Sequence, residues 1–197
     1  MTGTLLAQLW EGLKATGPME WIANVTGVAY ALLVMWHRRI GWVFGGISSS
    51  ILVVLFWRVD LPMQALLQVS YVLAAVYGWW SWSRPGGQRP VAMWHWRGHL
   101  AVVAGCVLAS LLLARVLAQE SAFPFMDSLV FCAGMFATWL LARVYLENWA
   151  YWILIDTASI YLSFRQGLFS VVLLFVLYLG IAGAGLAGWW KAWRKAA

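Results

Sequence analysis

The sequence predicts an all-α membrane protein with seven transmembrane helices in a 3+1+3 arrangement, the two triplets being parallel repeats. Three observations carry this. Of the 197 residues, 63% are hydrophobic and only 10% charged, with a mean hydropathy of +0.78. The chain divides at charged and Pro- or Gly-bearing joints into seven apolar stretches. A single offset of 107 residues, without gaps, lays much of the first half on the second.

A water-soluble surface needs roughly 25–35% Lys, Arg, Glu and Asp, which 13 basic and 7 acidic residues in 197 do not supply. Lipid is therefore the solvent. The 16 Trp residues suit aromatic belts at headgroup level, but exceed what belts alone need, so some should line an internal feature.

Residues 1–19, MTGTLLAQLWEGLKATGPM, have no basic start, no useful apolar core and no small-residue cleavage site. They read as an amphipathic surface segment, not a signal peptide. A bilayer is crossed by roughly 17–25 apolar residues. The first bundle, 20–82, has spans at about 20–36, 40–57 and 62–82, parted by HRR (37–39) and RVDLP (58–62). The stretch 83–123 opens with the loop SRPGGQRP (83–90) and holds one connector span, 99–117. After QESAFP (119–124) comes the second bundle, 124–193, with spans at about 124–145, 149–164 and 168–190, parted by LEN (146–148) and RQG (165–167). Residues 194–197 are left as a tail.

Orientation follows from the basic residues, which collect on the cytoplasmic side. With the C-terminus inside, nine lie inside: Arg38, Arg39, Arg84, Arg89, Arg97, Arg143, Lys191, Arg194 and Lys195. Four lie outside: Lys14, Arg58, Arg115 and Arg165. The acids Glu11, Glu20, Asp60, Glu120 and Asp127 fall outside and Glu147 inside, leaving Asp156 within a span. The net charge of +6 thus reflects topology rather than nucleic-acid binding, for which there is no soluble basic domain.

The 107-residue offset pairs Gly27 with Gly134, Trp42 with Trp149, Arg58 with Arg165, Tyr71 with Tyr178, Gly78 with Gly185 and Trp82 with Trp189. Leu matches arise cheaply, whereas Trp, Arg and Tyr matches in fixed register do not. The offset maps spans one to three onto five to seven. One intervening span keeps both units pointing the same way, so the symmetry axis lies along the membrane normal, with a central pathway between bundles.

Cys106 and Cys132 sit in apolar runs and read as small core hydrophobes. His95 and His99 have metal-ligand spacing but lie in a Trp- and Arg-rich stretch without a third ligand, so no metal or cofactor is expected. No phosphate-binding loop sequence and no second deep titratable residue are present, which points to uncoupled movement.

The sixth span, with Asn148 at its start, places Trp149, Trp152 and Asp156 at i, i+3 and i+7 on one helix face, with Ser163 further along. An ionised Asp in a span costs at least ~2.5 kcal/mol, so it turns toward a polar cavity or a partner. Two indoles beside a carboxylate form a seat for a flat organic cation, cation–π attraction being worth roughly 0.5–2 kcal/mol. The competing reading packs the two Trp residues on a neighbouring helix and makes Asp156 a fold anchor. The offset maps Trp149, Trp152 and Asp156 onto Trp42, Gly45 and Ser49, a small face opposite the bulky one. Gly41 and Gly45 equally suit tight helix packing. Gln64, Gln68 and Tyr71 share a face of span three, as Glu20, Asn24 and Gly27 do of span one. Gln64, Gln68 and Asn24 are candidates for a ligand's neutral groups or for interhelical hydrogen bonds, and Tyr71 and Tyr178 for gate or packing roles.

ENWAYWILIDTASIYL, GLFSVVLLFVLYLGIAGAGLAGWW, FPFMDS and QVSYVLAAVYGWWSW resemble the Pnu family of bacterial vitamin transporters over nearly the whole chain from Glu20. The resemblance implies an architecture similar to full-length SWEET-type transporters. It implies uptake of nicotinamide riboside across the inner membrane by facilitated diffusion, with a cytosolic kinase trapping the product. Thiamine is the alternative substrate, both being flat cations, and a homo-oligomer is left open. A membrane enzyme would need a cluster of catalytic groups at one depth, and only Asp156 lies deep.

Overall fold

Proline opens two of the helices and glycine-like turns close two others, and these local signals set the frame of the molecule. A computed structural model describes residues 16–58, 62–84, 90–116 and 123–196, together with Trp10, Gly12 and Lys14. Among them run seven long helices: α1 (Pro18–Met35), α2 (Gly41–Arg58), α3 (Pro62–Ser83), α4 (Trp96–Val116), α5 (Pro124–Ala142), α6 (Asn148–Arg165) and α7 (Phe169–Ala196). Pro18 occupies the first turn of α1, where a missing N–H costs nothing. There the Gly17 N–H donates to Glu20 Oε2 at 3.2 Å. Pro124 opens α5 in the same way.

The turns after α1 and α5 are built alike. His37 (φ 59°) and Val144 (φ 63°) both take the left-handed conformation. The Arg38 N–H donates to the Leu33 carbonyl at 2.8 Å and His37 N–H to Val34 at 3.0 Å. The same bonds recur from Tyr145 to Leu140 at 2.9 Å and from Val144 to Leu141 at 3.0 Å. This double bond is the usual glycine-ended helix stop, here made without glycine at a strain of roughly 1–3 kcal/mol per residue. Every one of these positions has its counterpart 107 residues on.

Six helices close a ring, α1 packing on α2, α2 on α3, α3 on α5, α5 on α6, α6 on α7, and α7 back on α1. Helix α4 stands outside and packs on α5. Of its residues only Ser110 is buried, while Leu100, Leu108 and Leu112 are exposed, as suits a helix whose surroundings are lipid. Five of the seven, α1, α2, α4, α5 and α7, are long and apolar enough to cross a membrane. Helices α3 and α6 are of similar length but carry Gln64 and Gln68, and Asn148 and Asp156. In α6 the polar side chains Asp156, Ser159 and Ser163 are buried, turned away from the helix's outer face.

The core gathers at the end where the two matched turns lie. Val34, Trp42, Ala75, Trp82, Leu141, Trp149 and Trp189 form its buried cluster. Trp42 meets Trp82 edge-on at 5.5 Å, and Trp149 meets Trp189 edge-on at 5.5 Å. Trp82 Nε1 donates to the Ala142 carbonyl at 3.1 Å, and Trp189 Nε1 to the Met35 carbonyl at 3.0 Å. Each indole thus ties its own triplet to the other triplet's first helix.

Boundaries differ from the sequence expectation in three places. Helix α5 stops at Ala142 rather than 145, because Val144 turns left-handed and residues 143–147 form the turn. Helix α4 starts at Trp96, and α7 runs on to Ala196. Residues just before α4 form a strap rather than a loose linker. The Ala92 N–H donates to the Val144 carbonyl at 3.2 Å, Leu146 N–H donates to the Ala92 carbonyl at 2.9 Å, and Trp94 N–H to Glu147 Oε1 at 2.8 Å. Most of the 1–19 segment and of the RVDLP, SRPGGQRP and QESAFP joints lies outside the described residues.

Candidate substrate cavity

A cavity of about 310 Å³ lies inside the ring, and all six ring helices contribute to its lining. Glycines make the space. Built as a side chain, a Cβ on Gly78 would stand 2.3 Å from the Trp42 ring, and one on Gly185 would stand 2.6 Å from Trp149. Each indole therefore lies flat on a glycine of the next helix, with one edge to the cavity. The Tyr178 hydroxyl occupies the space beside Gly27, and the Tyr71 hydroxyl that beside Gly134. Each tyrosine thus reaches from the last helix of one triplet to the first helix of the other.

Trp149, Trp152 and Asp156 line the cavity together, as their shared helix face requires. Asp156 is 3% exposed, and Tyr178 lies within electrostatic reach of it. Gln68, Tyr71, Tyr178 and Trp42 join the lining, as do Gly45 and Ser49 on the facing helix. Asn148, Gln64 and Asn24 are not part of it. Asn148 is fully buried at the α5–α6 turn, where its Nδ2 donates to the Tyr145 carbonyl at 2.7 Å. The indole nitrogens of Trp42 and Trp149 are buried and have no partner among the described residues. As donors only, they suit acceptor oxygens entering the cavity.

Tyr30, Ser48 and Ser159 line the cavity without having been singled out in the sequence. Ser159 continues the Asp156 stripe by three residues, and Tyr30 continues that of Gly27 by three, so extending each stripe one turn finds them. Ser48 gives no such signal. Its hydroxyl donates to the Ala23 carbonyl at 2.8 Å and so ties α2 to α1.

His99 does not pair with His95. Its Nδ1 stands 3.0 Å from the Tyr151 hydroxyl and its Nε2 3.6 Å from Glu147 Oε1. Among the described residues, no three of His, Cys, Asp and Glu converge as a metal set.

A closed ring of membrane-length helices around a cavity of indoles, phenols and one carboxylate defines a multi-pass membrane transporter for a small organic solute. The chain belongs to the nicotinamide mononucleotide transporter family, whose pattern matches residues 17–191. It is 26% identical to the nicotinamide riboside transporter PnuC of Escherichia coli (strain K12), over 90% of this chain and 87% of the relative. It is 24% identical to the riboflavin/roseoflavin transporter RibM of Streptomyces davaonensis, over 89% of this chain and 86% of that one. The fold is similar to the crystal structure of the vitamin B3 transporter PnuC, with a TM-score of 0.73 and 23% identity over 98% of this chain and 91% of that one.

Proposed function

We propose that the protein carries nicotinamide riboside across the bacterial inner membrane by facilitated diffusion, binding it in the central cavity. The observation that carries the reading is the buried Asp156 beside Trp149 and Trp152 in that cavity. A pyridinium ring has positive charge and two flat faces. Indole faces attract it by roughly 0.5–2 kcal/mol, and the carboxylate supplies the opposite charge. The ribose hydroxyls and carboxamide meet Gln68, Tyr71, Tyr178 and the indole N–H groups of Trp42 and Trp149.

The two triplets act as parallel repeats about an axis along the membrane normal, with α4 as connector. The matched turns, the crossed indole bonds and the Trp-on-Gly contacts 107 residues apart support this. The basic residues place the amino end outside and the carboxyl end in the cytoplasm. Since binding energy alone moves nothing uphill, a cytosolic kinase that phosphorylates the product would keep flux inward. Thiamine is a second flat cation that the same seat accommodates. Riboflavin is uncharged and gains nothing from Asp156.

Purified protein titrated with nicotinamide riboside, thiamine and riboflavin tests the reading. Asp156→Asn keeps the size of the side chain and removes its charge. It is expected to weaken nicotinamide riboside by roughly ten- to a hundredfold while sparing a neutral analogue of the same shape. Equal loss of both ligands together with a lowered melting temperature would make Asp156 an anchor of the fold instead.

A further inference from the structure

In the transport cavity the two halves do not match at the positions nearest the seat. The offset of 107 sets Gly45 against Trp152, and Tyr30 against Ala137. One triplet has an aromatic on its second helix and a small residue on its first, and the other has the reverse. The rings nevertheless reach corresponding places. A Cβ on Gly45 would lie 2.9 Å from Tyr30 Cδ2, 3.1 Å from Cγ and 3.2 Å from Cε2, so the Tyr30 ring lies flat over Gly45. It stands where a side chain on Gly45 would have to go. Ala137 is fully buried and, having only a methyl group, leaves the Trp152 side of the cavity to the indole. Tyr30 and Trp152 both line the cavity, and Tyr30 is braced by Trp42 at a ring distance of 5.6 Å.

We infer that Tyr30 is a specificity-determining residue that forms the second aromatic wall of the seat, supplied from α1 in exchange for the missing ring on α2. Given the proposed seat around Asp156, the substrate's ring is held between Tyr30 on one triplet and Trp152 on the other. The exchange gives the two walls different thickness and chemistry. An indole stands beside the carboxylate, and a phenol stands opposite, next to Ser48 and Ser49. A ring with charge on one side and polar substituents on the other then has one preferred orientation, which two identical Trp walls would not impose.

The test moves the wall. Ligand affinity and thermal stability are measured for wild type, Tyr30→Ala, Gly45→Trp and the double variant, with nicotinamide riboside as probe and thiamine and riboflavin run alongside. Tyr30→Ala is expected to weaken the bound vitamin by roughly three- to tenfold, as loss of one aromatic face does. Gly45→Trp alone collides with Tyr30 and lowers both stability and affinity. The double variant returns the first triplet to the pattern of the second, so it is expected to recover stability and most of the affinity, a strong coupling between the two positions. Recovered stability without recovered affinity would make Tyr30 a packing residue and overturn the inference, as would additive losses. A wild type that binds riboflavin and neither cation would fail the proposed substrate but not this inference, because the four variants are then compared on riboflavin.

Discussion

His37 is a residue whose conformation and neighbours are both unusual. Its backbone is left-handed, its ring stacks on Trp189 at 5.2 Å and tilts against Trp82 at 4.7 Å, and its buried Nε2 has no partner among the described residues. Burial holds its pKa below the ordinary imidazole value. The sign follows directly. As pH falls through about 6.5, an unfolded chain takes up a proton that the packed ring resists, so stability is lost on acidification and is full above that range. Melting temperatures measured from about pH 8 to about pH 5 should therefore fall toward acid. The fall should be smaller in His37→Asn, which tolerates the left-handed backbone and does not titrate. An unchanged acid slope in that variant would place the titrating group elsewhere. At this scale the sequence was partly legible. Trp149, Trp152 and Asp156 follow from helical spacing, and an intramembrane carboxylate is conspicuous. Asn148 and Tyr30 show what spacing leaves open. One turn along the helix decides between a hydrogen bond to the Tyr145 carbonyl and a place in the cavity.

At the scale of elements, the helices meet through glycine, and the matched positions should behave alike. Gly78→Ala and Gly185→Ala each thrust a methyl group into an indole ring that lies flat on the helix. Overpacking of this kind costs roughly 1–3 kcal/mol. Because Trp42 and Trp149 also line the cavity, each substitution should lower ligand affinity as well as the melting temperature. A neutral result at one glycine and damage at the other would break the correspondence between the triplets. Helix existence was legible from apolar length, but the ends were not. Helix α5 stops early because Val144 adopts a conformation that β-branched residues normally avoid, and nothing local to the sequence announces it. The strap through Ala92 was likewise hidden, since its partners lie about fifty residues away, at Val144 and Leu146.

For the whole molecule, the proposed mode of transport predicts equilibration. Protein in vesicles that contain no kinase should carry nicotinamide riboside until inside and outside concentrations match. Accumulation driven by an imposed proton or sodium gradient would show coupling instead. A reporter fused after Ala197 should read as cytoplasmic and one before Met1 as external, as the nine-to-four division of basic residues requires. Two ends on the same side would exclude seven crossings. The sequence by itself determined that this is a helical membrane protein, that its two triplets correspond at a fixed offset, and that one helix face carries indoles with a carboxylate. These properties are written in composition and periodicity, which lipid and the 3.6-residue turn read directly. Only the tertiary structure decided which faces meet across the ring, that the connector helix stays outside it, and that Tyr30 lies over Gly45 in the cavity. Those outcomes depend on how side-chain volumes fit between helices distant in sequence, and no local pattern encodes that fit.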